Sequence, residues 1–127
     1  MTPQRKEDMD MSERKTLILD SEKLEWQDGE KLLTLPKGVR IKILSEDKST
    51  GRRDMLVNFP KGYVEPRHKH EGYHSDVLLE GTWVVEGKTL KPGGYVFGPR
   101  GEEHGPFECP NGCLVFASFY GNPEHRY

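Results

Sequence analysis

Four of the five histidines of this chain lie in two short clusters whose spacing is typical of a metal site. His68 and His70 are two residues apart, and such residues point to the same face of an extended strand. His74 follows after a short loop, and His104 comes about thirty residues later, on what must be a different strand. Neutral imidazole is a ligand for zinc, copper, iron and nickel. Three or four imidazoles that converge inside a β-structure would form a metal site.

Glycine and proline residues at fixed offsets around these histidines resemble the two sequence motifs of the cupin superfamily. The first motif spans residues 62–81, and its matching residues are Gly62, His68, His70 and Gly81. The second motif spans residues 93–108, and its matching residues are Gly93, Pro99, Gly101 and His104. His74 stands where the family usually has Glu, and Glu108 stands in place of Asn. The resemblance covers roughly residues 55–120, and the two motifs together are a strong signal.

The resemblance implies an all-β fold, the double-stranded β-helix or jelly-roll barrel of cupins. It also implies one divalent transition metal per chain, held by His68, His70, His74 and His104. Iron(II) is favoured, and zinc, nickel, manganese and copper remain possible. His74 is expected to be a ligand because its strand phase agrees with that of its partners. The alternative is a bystander beside a three-histidine centre.

The pattern of apolar residues independently favours an all-β sandwich or barrel, because short strands alternate with turn signals every eight to twelve residues. The expected strands are residues 16–19, 31–35, 39–44, 54–59, 74–79, 82–85, 95–97 and 113–120. Val39, Ile41 and Ile43 alternate with polar residues and should face the core. A stretch from Ser21 is predicted to be a turn or a single helical turn.

The length of 127 residues predicts one domain. Residues 1–14 are polar and heavily charged, so we expect a mobile tail ahead of a single cupin domain at residues 15–127. His125 lies near the chain end and is interpreted as part of a surface tail. Cupins often dimerise by adding their first strands to the partner's sheet edge, so the resemblance implies a homodimer.

The charge pattern gives no indication of a polyanionic partner. Acidic and basic residues number 21 and 19, and the formal net charge is −2, which argues against nucleic acid and anionic membrane surfaces. The sequence has no run of eighteen apolar residues, so no transmembrane helix is expected. The N-terminus lacks the apolar segment of a signal peptide, and a cytoplasmic location is the default expectation.

Cys109 and Cys113 are the two cysteines of the chain and are separated by Pro-Asn-Gly, a turn signal. They could form half of a zinc site or a redox pair, but a second cysteine pair is absent from the sequence. We interpret them as reduced thiols on either side of a β-turn, since structural disulfides are rare in the cytosol.

An all-histidine ligand set would leave the full charge on a divalent ion and should favour an anionic small-molecule substrate such as an enolate or carboxylate. Six-coordination would leave two open positions, whereas a closed four-coordinate site is usually structural.

Asp76 could fix the tautomer of a site histidine or simply be solvated. Glu102 and Glu103 precede His104 and are candidates for acid/base catalysis, although paired turn carboxylates are more often just solvated.

Two classes of function are compatible with these residues. The first is a metal-dependent enzyme, most consistent with a non-haem iron dioxygenase acting on a small diketone or hydroxyketone. The cupin resemblance supports this class because cupins include acetylacetone, cysteine and quercetin dioxygenases. An isomerase or hydrolase with another metal is an open alternative. The second is a non-catalytic metal-binding module, as in the zinc-holding cupin domain of some bacterial anti-sigma factors. Those sensors carry an additional helical domain, for which this sequence has no pattern, so an enzyme is favoured.

Overall fold

The computed structural model describes residues 16–121, which form two antiparallel β-sheets with very little helix. The predicted tail, residues 1–14, and His125 lie outside the described residues. The elements in chain order are a 3₁₀-helix (Ser21–Lys23), β1 (Gln27–Asp28), α1 (Gly29–Leu33), β2 (Arg40–Asp47), β3 (Arg52–Phe59), β4 (Tyr63–Glu65), β5 (Tyr73–Gly81), β6 (Trp83–Val85), β7 (Lys88–Leu90), β8 (Tyr95–Gly98), β9 (Phe107–Cys109) and β10 (Cys113–Tyr120).

The two sheets differ in size. The larger has six strands in the order β1-β2-β3-β10-β5-β8, and the smaller has four in the order β4-β9-β6-β7. The pairings between named strands are antiparallel throughout both sheets. This arrangement confirms the predicted all-β jelly roll, in which two sheets enclose one interior.

Strand β10 is central to the larger sheet because it pairs with both β3 and β5. Its side chains alternate strictly between buried and half-buried positions, as expected for a strand with one face on the core. The buried set is Cys113, Val115, Ala117 and Phe119. The residues of β3 and β5 that pair with this buried set lie on the same face of the sheet. The pairing therefore determines which residues of β5 reach the interior.

The core consists of two clusters of buried residues. One cluster gathers around Ile41, Met55 and Ala117 at the β2-β3 side of the larger sheet. The other includes Trp83 and Phe107 from the smaller sheet. Half-buried Phe59 packs against both clusters and therefore joins them. The histidines of the candidate site lie in the same interior.

The prediction of a strand at residues 31–35 is wrong, because Gly29–Leu33 forms helix α1. The side chain of Asp28 accepts a hydrogen bond from the backbone N–H of Glu30 and so caps the helix at its start. Thr34 ends the helix in the left-handed conformation. Residues 16–19 likewise contain no regular element, whereas the expected helical turn from Ser21 is present.

The predicted core face of Val39, Ile41 and Ile43 is confirmed, because Val39 and Ile41 are buried and half-buried Ile43 packs against the same core cluster. A β-bulge between Ile43 and Ser45 shifts the register against β3. An extra residue at a bulge changes which face the following side chains occupy. Ser45 is accordingly paired with Asp54 beyond the bulge, and its hydroxyl donates a hydrogen bond to the carboxylate of Asp54 at 3.3 Å.

Cys109 and Cys113 are buried free thiols at the ends of β9 and β10, on either side of a turn, as predicted. The thiol of Cys113 donates a hydrogen bond to the carbonyl oxygen of Thr82 at 3.1 Å. A hydrogen bond with the neighbouring thiol raises the pKa of Cys109 and lowers the pKa of Cys113. Their burial among apolar side chains makes them part of the core.

Within residues 16–121, no helix has the length and apolar character needed to cross a membrane. Homodimerisation stays a prediction, which light scattering coupled to gel filtration would test.

Candidate metal centre

His68 and His104 come from distant parts of the sequence and are joined by an antiparallel β-bridge. The backbone N–H of His68 donates to the carbonyl of His104 at 2.9 Å, and the reverse bond measures 2.8 Å. The bridge joins the segment between β4 and β5 to the segment before β9. Two backbone hydrogen bonds therefore place the two imidazoles side by side, with ring centroids 4.3 Å apart.

The ring nitrogens of these two histidines point at each other. The Nδ1–H of His68 donates to the carbonyl oxygen of Pro66 at 3.0 Å, since a carbonyl can only accept. The proton on Nδ1 leaves the lone pair of His68 Nε2 facing Nε2 of His104 at 2.8 Å. Two imidazoles bound to one metal at about 2.1 Å, at roughly a right angle, would have nitrogens about 3 Å apart. The observed spacing fits a shared metal ion.

His70 completes a buried group of three histidines. One ring nitrogen from each of His68, His70 and His104 lies within 4.8 Å of the others. The ring centroid of His70 is 4.9 Å from that of His68 and 5.1 Å from that of His104. The His-x-His spacing accordingly brings two imidazoles to one point, and the β-bridge adds the third.

His74 lies beside this group without belonging to it. Its ring centroid is 5.0 Å from that of His70 and 5.0 Å from that of His104. Nε2 of His74 is buried and has no hydrogen-bond partner among the described residues. A buried nitrogen with an unused lone pair is costly unless a donor or a cation satisfies it. This nitrogen is therefore consistent with a fourth metal ligand.

Two buried carboxylates lie next to the ring nitrogens of two site histidines. Asp76 accepts a hydrogen bond from Nδ1 of His74 at 2.6 Å. Glu65 lies 3.5 Å from Nδ1 of His68 and accepts a hydrogen bond from the hydroxyl of Tyr63 at 2.8 Å. Their residues are only 5% and 1% exposed, so both carboxylates are removed from water. Buried carboxylates next to imidazoles favour a cation at this site.

A cavity of about 40 Å³ lies beside the histidines, room for a few atoms rather than for a large ligand. His68, His70 and His74 border it together with both carboxylates. Most of the remaining lining is apolar and includes Met55, Val57, Trp83, Val115, Ala117 and Phe119. Three of the four site histidines therefore border a mainly apolar space.

Glu102 and Glu103 lie on the exposed turn before His104 and do not border this cavity. The carboxylate of Glu103 is 3.6 Å from Nε of Arg67, and both side chains are more than half exposed. The structure thus brings the four predicted histidines together but leaves the two predicted acid/base candidates at the surface.

The sequence reasoning missed Glu65, one of the most deeply buried residues of the chain. Its neighbours Val64 and Pro66 are exposed, so the local composition looks like a loop. The available signal was the alternation of β4, in which Glu65 shares a face with Tyr63 three residues before the first site histidine.

The family comparison agrees with this geometry. The sequence model of the ChrR cupin-like domain matches residues 14–121, so the chain belongs to this cupin family. No curated protein sequence matches the chain significantly.

Several solved structures share the fold. KdgF from Halomonas sp. is 25% identical, with a TM-score of 0.64 over 80% of this chain and 89% of that one. An acetylacetone dioxygenase from Acinetobacter johnsonii is 19% identical, with a TM-score of 0.63 over 84% of this chain and 74% of that one.

The structure of Rhodobacter sphaeroides SigE in complex with the anti-sigma ChrR is also similar. It is 24% identical, with a TM-score of 0.56, and the match covers 76% of this chain and 50% of that one. The chain therefore spans about half the length of that relative. The same fold is thus found in an enzyme and in a regulatory complex, so the fold alone does not determine the function.

Proposed function

We propose that this protein is a metal-dependent cupin enzyme that binds one divalent transition metal and oxygenates a small diketone or hydroxyketone. Iron(II) is the favoured metal. His68, His70 and His104 would hold the ion, and His74 would be the fourth donor. The observation that carries the proposal is the convergence of these imidazoles, three of which, His68, His70 and His74, border a mainly apolar cavity.

When bound, such a metal supplies Lewis-acid polarisation of a substrate oxygen and, in the case of iron, the ability to exchange electrons with dioxygen. Neutral imidazoles do not offset the charge of a divalent ion. An enolate, the anion of a diketone, would therefore be attracted to this all-histidine site more strongly than to a site in which one ligand is a carboxylate.

The protein itself contributes orientation and exclusion of water. The backbone bridge between His68 and His104 fixes the direction of two donors before any ligand arrives. Apolar side chains such as Val57, Val115 and Phe119 line the cavity beside them. A water-poor site strengthens every charge interaction within it, which favours a small anion with an apolar body.

The free cavity is small, so a diketone would fit only if side chains at its border move. The acetylacetone dioxygenase of Acinetobacter johnsonii has the same fold, which makes acetylacetone a suitable first substrate. We expect iron-loaded protein to consume oxygen on addition of acetylacetone or a related diketone, as measured with an oxygen electrode. His70→Ala protein, prepared in the same way, is the matched control and should show no uptake.

Iron-loaded protein that binds the metal but consumes no oxygen with any of a panel of diketones and hydroxyketones would contradict the enzyme proposal. It would support a second function, a non-catalytic metal-binding module. The observation that favours this second function is the family itself, which is described by the ChrR cupin-like domain. An isomerase or hydrolase would be recognised instead by turnover without oxygen and with zinc or nickel.

A further inference from the structure

The imidazole of His74 is held by a short hydrogen bond to Asp76. The Nδ1 to Oδ2 distance is 2.6 Å, and the two side chains are 3% and 7% exposed. Because a carboxylate can only accept, the proton of this bond lies on Nδ1 of the histidine. A neutral His74 in this arrangement must carry its lone pair on Nε2, the nitrogen that has no hydrogen-bond partner among the described residues.

The ring of His74 is also fixed on both of its sides. It stacks on Phe119, with ring centroids 4.7 Å apart and an interplanar angle of 20°. On the neighbouring strand β8, Gly98 is its register partner. A Cβ atom at Gly98 would overlap Nε2 of His74, so only glycine lets the imidazole lie across that strand. Position and tautomer of the ring are thus set by three different residues.

We propose that Asp76 is a positioning residue that holds His74 in the Nδ1–H tautomer, so that its Nε2 serves as the fourth donor to the metal. This inference rests on the proposed metal site. The other tautomer would place an N–H where a lone pair is needed. Residues two apart in a strand share a face, so β5 supplies both the donor and the group that orients it.

Asp54 provides a matched control for Asp76. It is also a buried aspartate of the larger sheet, with its residue 8% exposed. Its carboxylate accepts hydrogen bonds from Arg52 at 2.8 Å and from Ser118 at 2.7 Å, and not from a site histidine. Replacing either aspartate removes a buried charge from the same sheet, but only Asp76 contacts His74.

The test is a titration of metal-free protein with Co²⁺, followed by the absorption of the bound ion. Asp76→Ala should weaken Co²⁺ binding about 10–100-fold, as outer partners of metal ligands generally do. Asp76→Asn should weaken it less, because an amide oxygen can still accept from Nδ1. Asp54→Asn should leave the affinity within about twofold, although its stability will fall.

A second measurement reads the tautomer directly and needs no metal. Long-range ¹H–¹⁵N spectra of the metal-free protein should show His74 protonated on Nδ1 alone, and Asp76→Ala should lose this preference. Protonation of Nε2 in the unaltered protein, or equal Co²⁺ affinity in the Asp76 variants, would overturn the inference while leaving the metal site intact. Failure of the unaltered protein to bind Co²⁺ would instead overturn the proposed function.

Discussion

The two sides of the histidine cluster are built differently. On one side, His68 is oriented by the main chain, through its bridge to His104 and the carbonyl of Pro66 at 3.0 Å. On the other side, His74 lies within β5 and is oriented by the side chain of Asp76 at 2.6 Å. A ligand oriented by backbone groups tolerates side-chain changes around it. A ligand oriented by one carboxylate does not, so the two sides should respond very differently to substitution.

The surroundings reinforce this difference. β5 pairs with β10 and with β8, so the backbone of His74 is fixed on both edges. The segments of His68 and His104 are joined by an isolated β-bridge and by a backbone hydrogen bond from Gly101 to His70 at 2.9 Å, and both segments are otherwise irregular. Sites on regular strands hold their geometry more closely than sites on loops. The His74 side therefore has a rigid backbone and a sensitive side chain, and the His68 side has the reverse.

The largest effect on the His74 side is expected from Gly98→Ala. The new methyl group would occupy the space of Nε2 of His74, so the ring has to move or the strands have to separate. We expect a loss of about 1–3 kcal/mol of stability, typical of overpacking, and at least a tenfold loss of Co²⁺ affinity. Chemical denaturation and Co²⁺ titration measure the two effects.

Gly87→Ala is the control for this substitution. Gly87 has a φ of 78° and open space around its Cβ direction, in the turn between β6 and β7. Backbone strain should cost it about 1–2 kcal/mol, whereas Co²⁺ affinity should not change. An equal affinity loss in both glycine variants would show that Gly98 acts through general stability and not through His74.

A smaller effect, but a more specific one, is expected from combining substitutions at positions 74 and 76. In His74→Glu the ring N–H that Asp76 accepts is gone, so Asp76 has no imidazole left to orient. Adding Asp76→Asn to His74→Glu should therefore lower Co²⁺ affinity less than Asp76→Asn lowers it in the unaltered background.

The coupling between positions 74 and 76 should amount to about 1–3 kcal/mol in a double-mutant cycle based on Co²⁺ affinities. Additivity within about 0.5 kcal/mol would mean that the two side chains act independently. In that case, the hydrogen bond between His74 and Asp76 has no role in the site.

The smallest effect is expected from Glu65→Gln on the His68 side. The carbonyl of Pro66 is nearer to Nδ1 of His68 than the carboxylate of Glu65 is, and it remains in the variant. Co²⁺ affinity should therefore fall less than about tenfold, the lower limit for outer partners of a metal ligand. A loss larger than that of Asp76→Asn would reverse the comparison between the two sides.

The convergence of the four histidines could be predicted from the sequence because strand periodicity and turn residues constrain it closely. His68 and His70 share a face by period, and the Gly and Pro residues before His104 indicate a separate segment. The face shared by His74 and Asp76 follows from the same rule. The hydrogen bond between them does not, since it depends on the tilt of the ring against Phe119 and Gly98.

Two features could not be read from local pattern. Five residues at Gly29–Leu33 are too few to show a helical period, so the apolar pattern does not distinguish a helix from a strand there. Glu65 appears polar and solvated from its neighbours, yet tertiary packing buries it behind His68. At Glu65, tertiary contacts thus override what the composition of the segment indicates.

Elemental analysis of protein purified without a histidine tag shows whether the four imidazoles hold a metal ion. We expect one divalent transition metal per chain, and a sharp loss of metal content in each of His68→Ala, His70→Ala and His104→Ala, since each removes a ligand. Full metal content in two of these three variants, or metal-free protein that binds no Co²⁺, would contradict it.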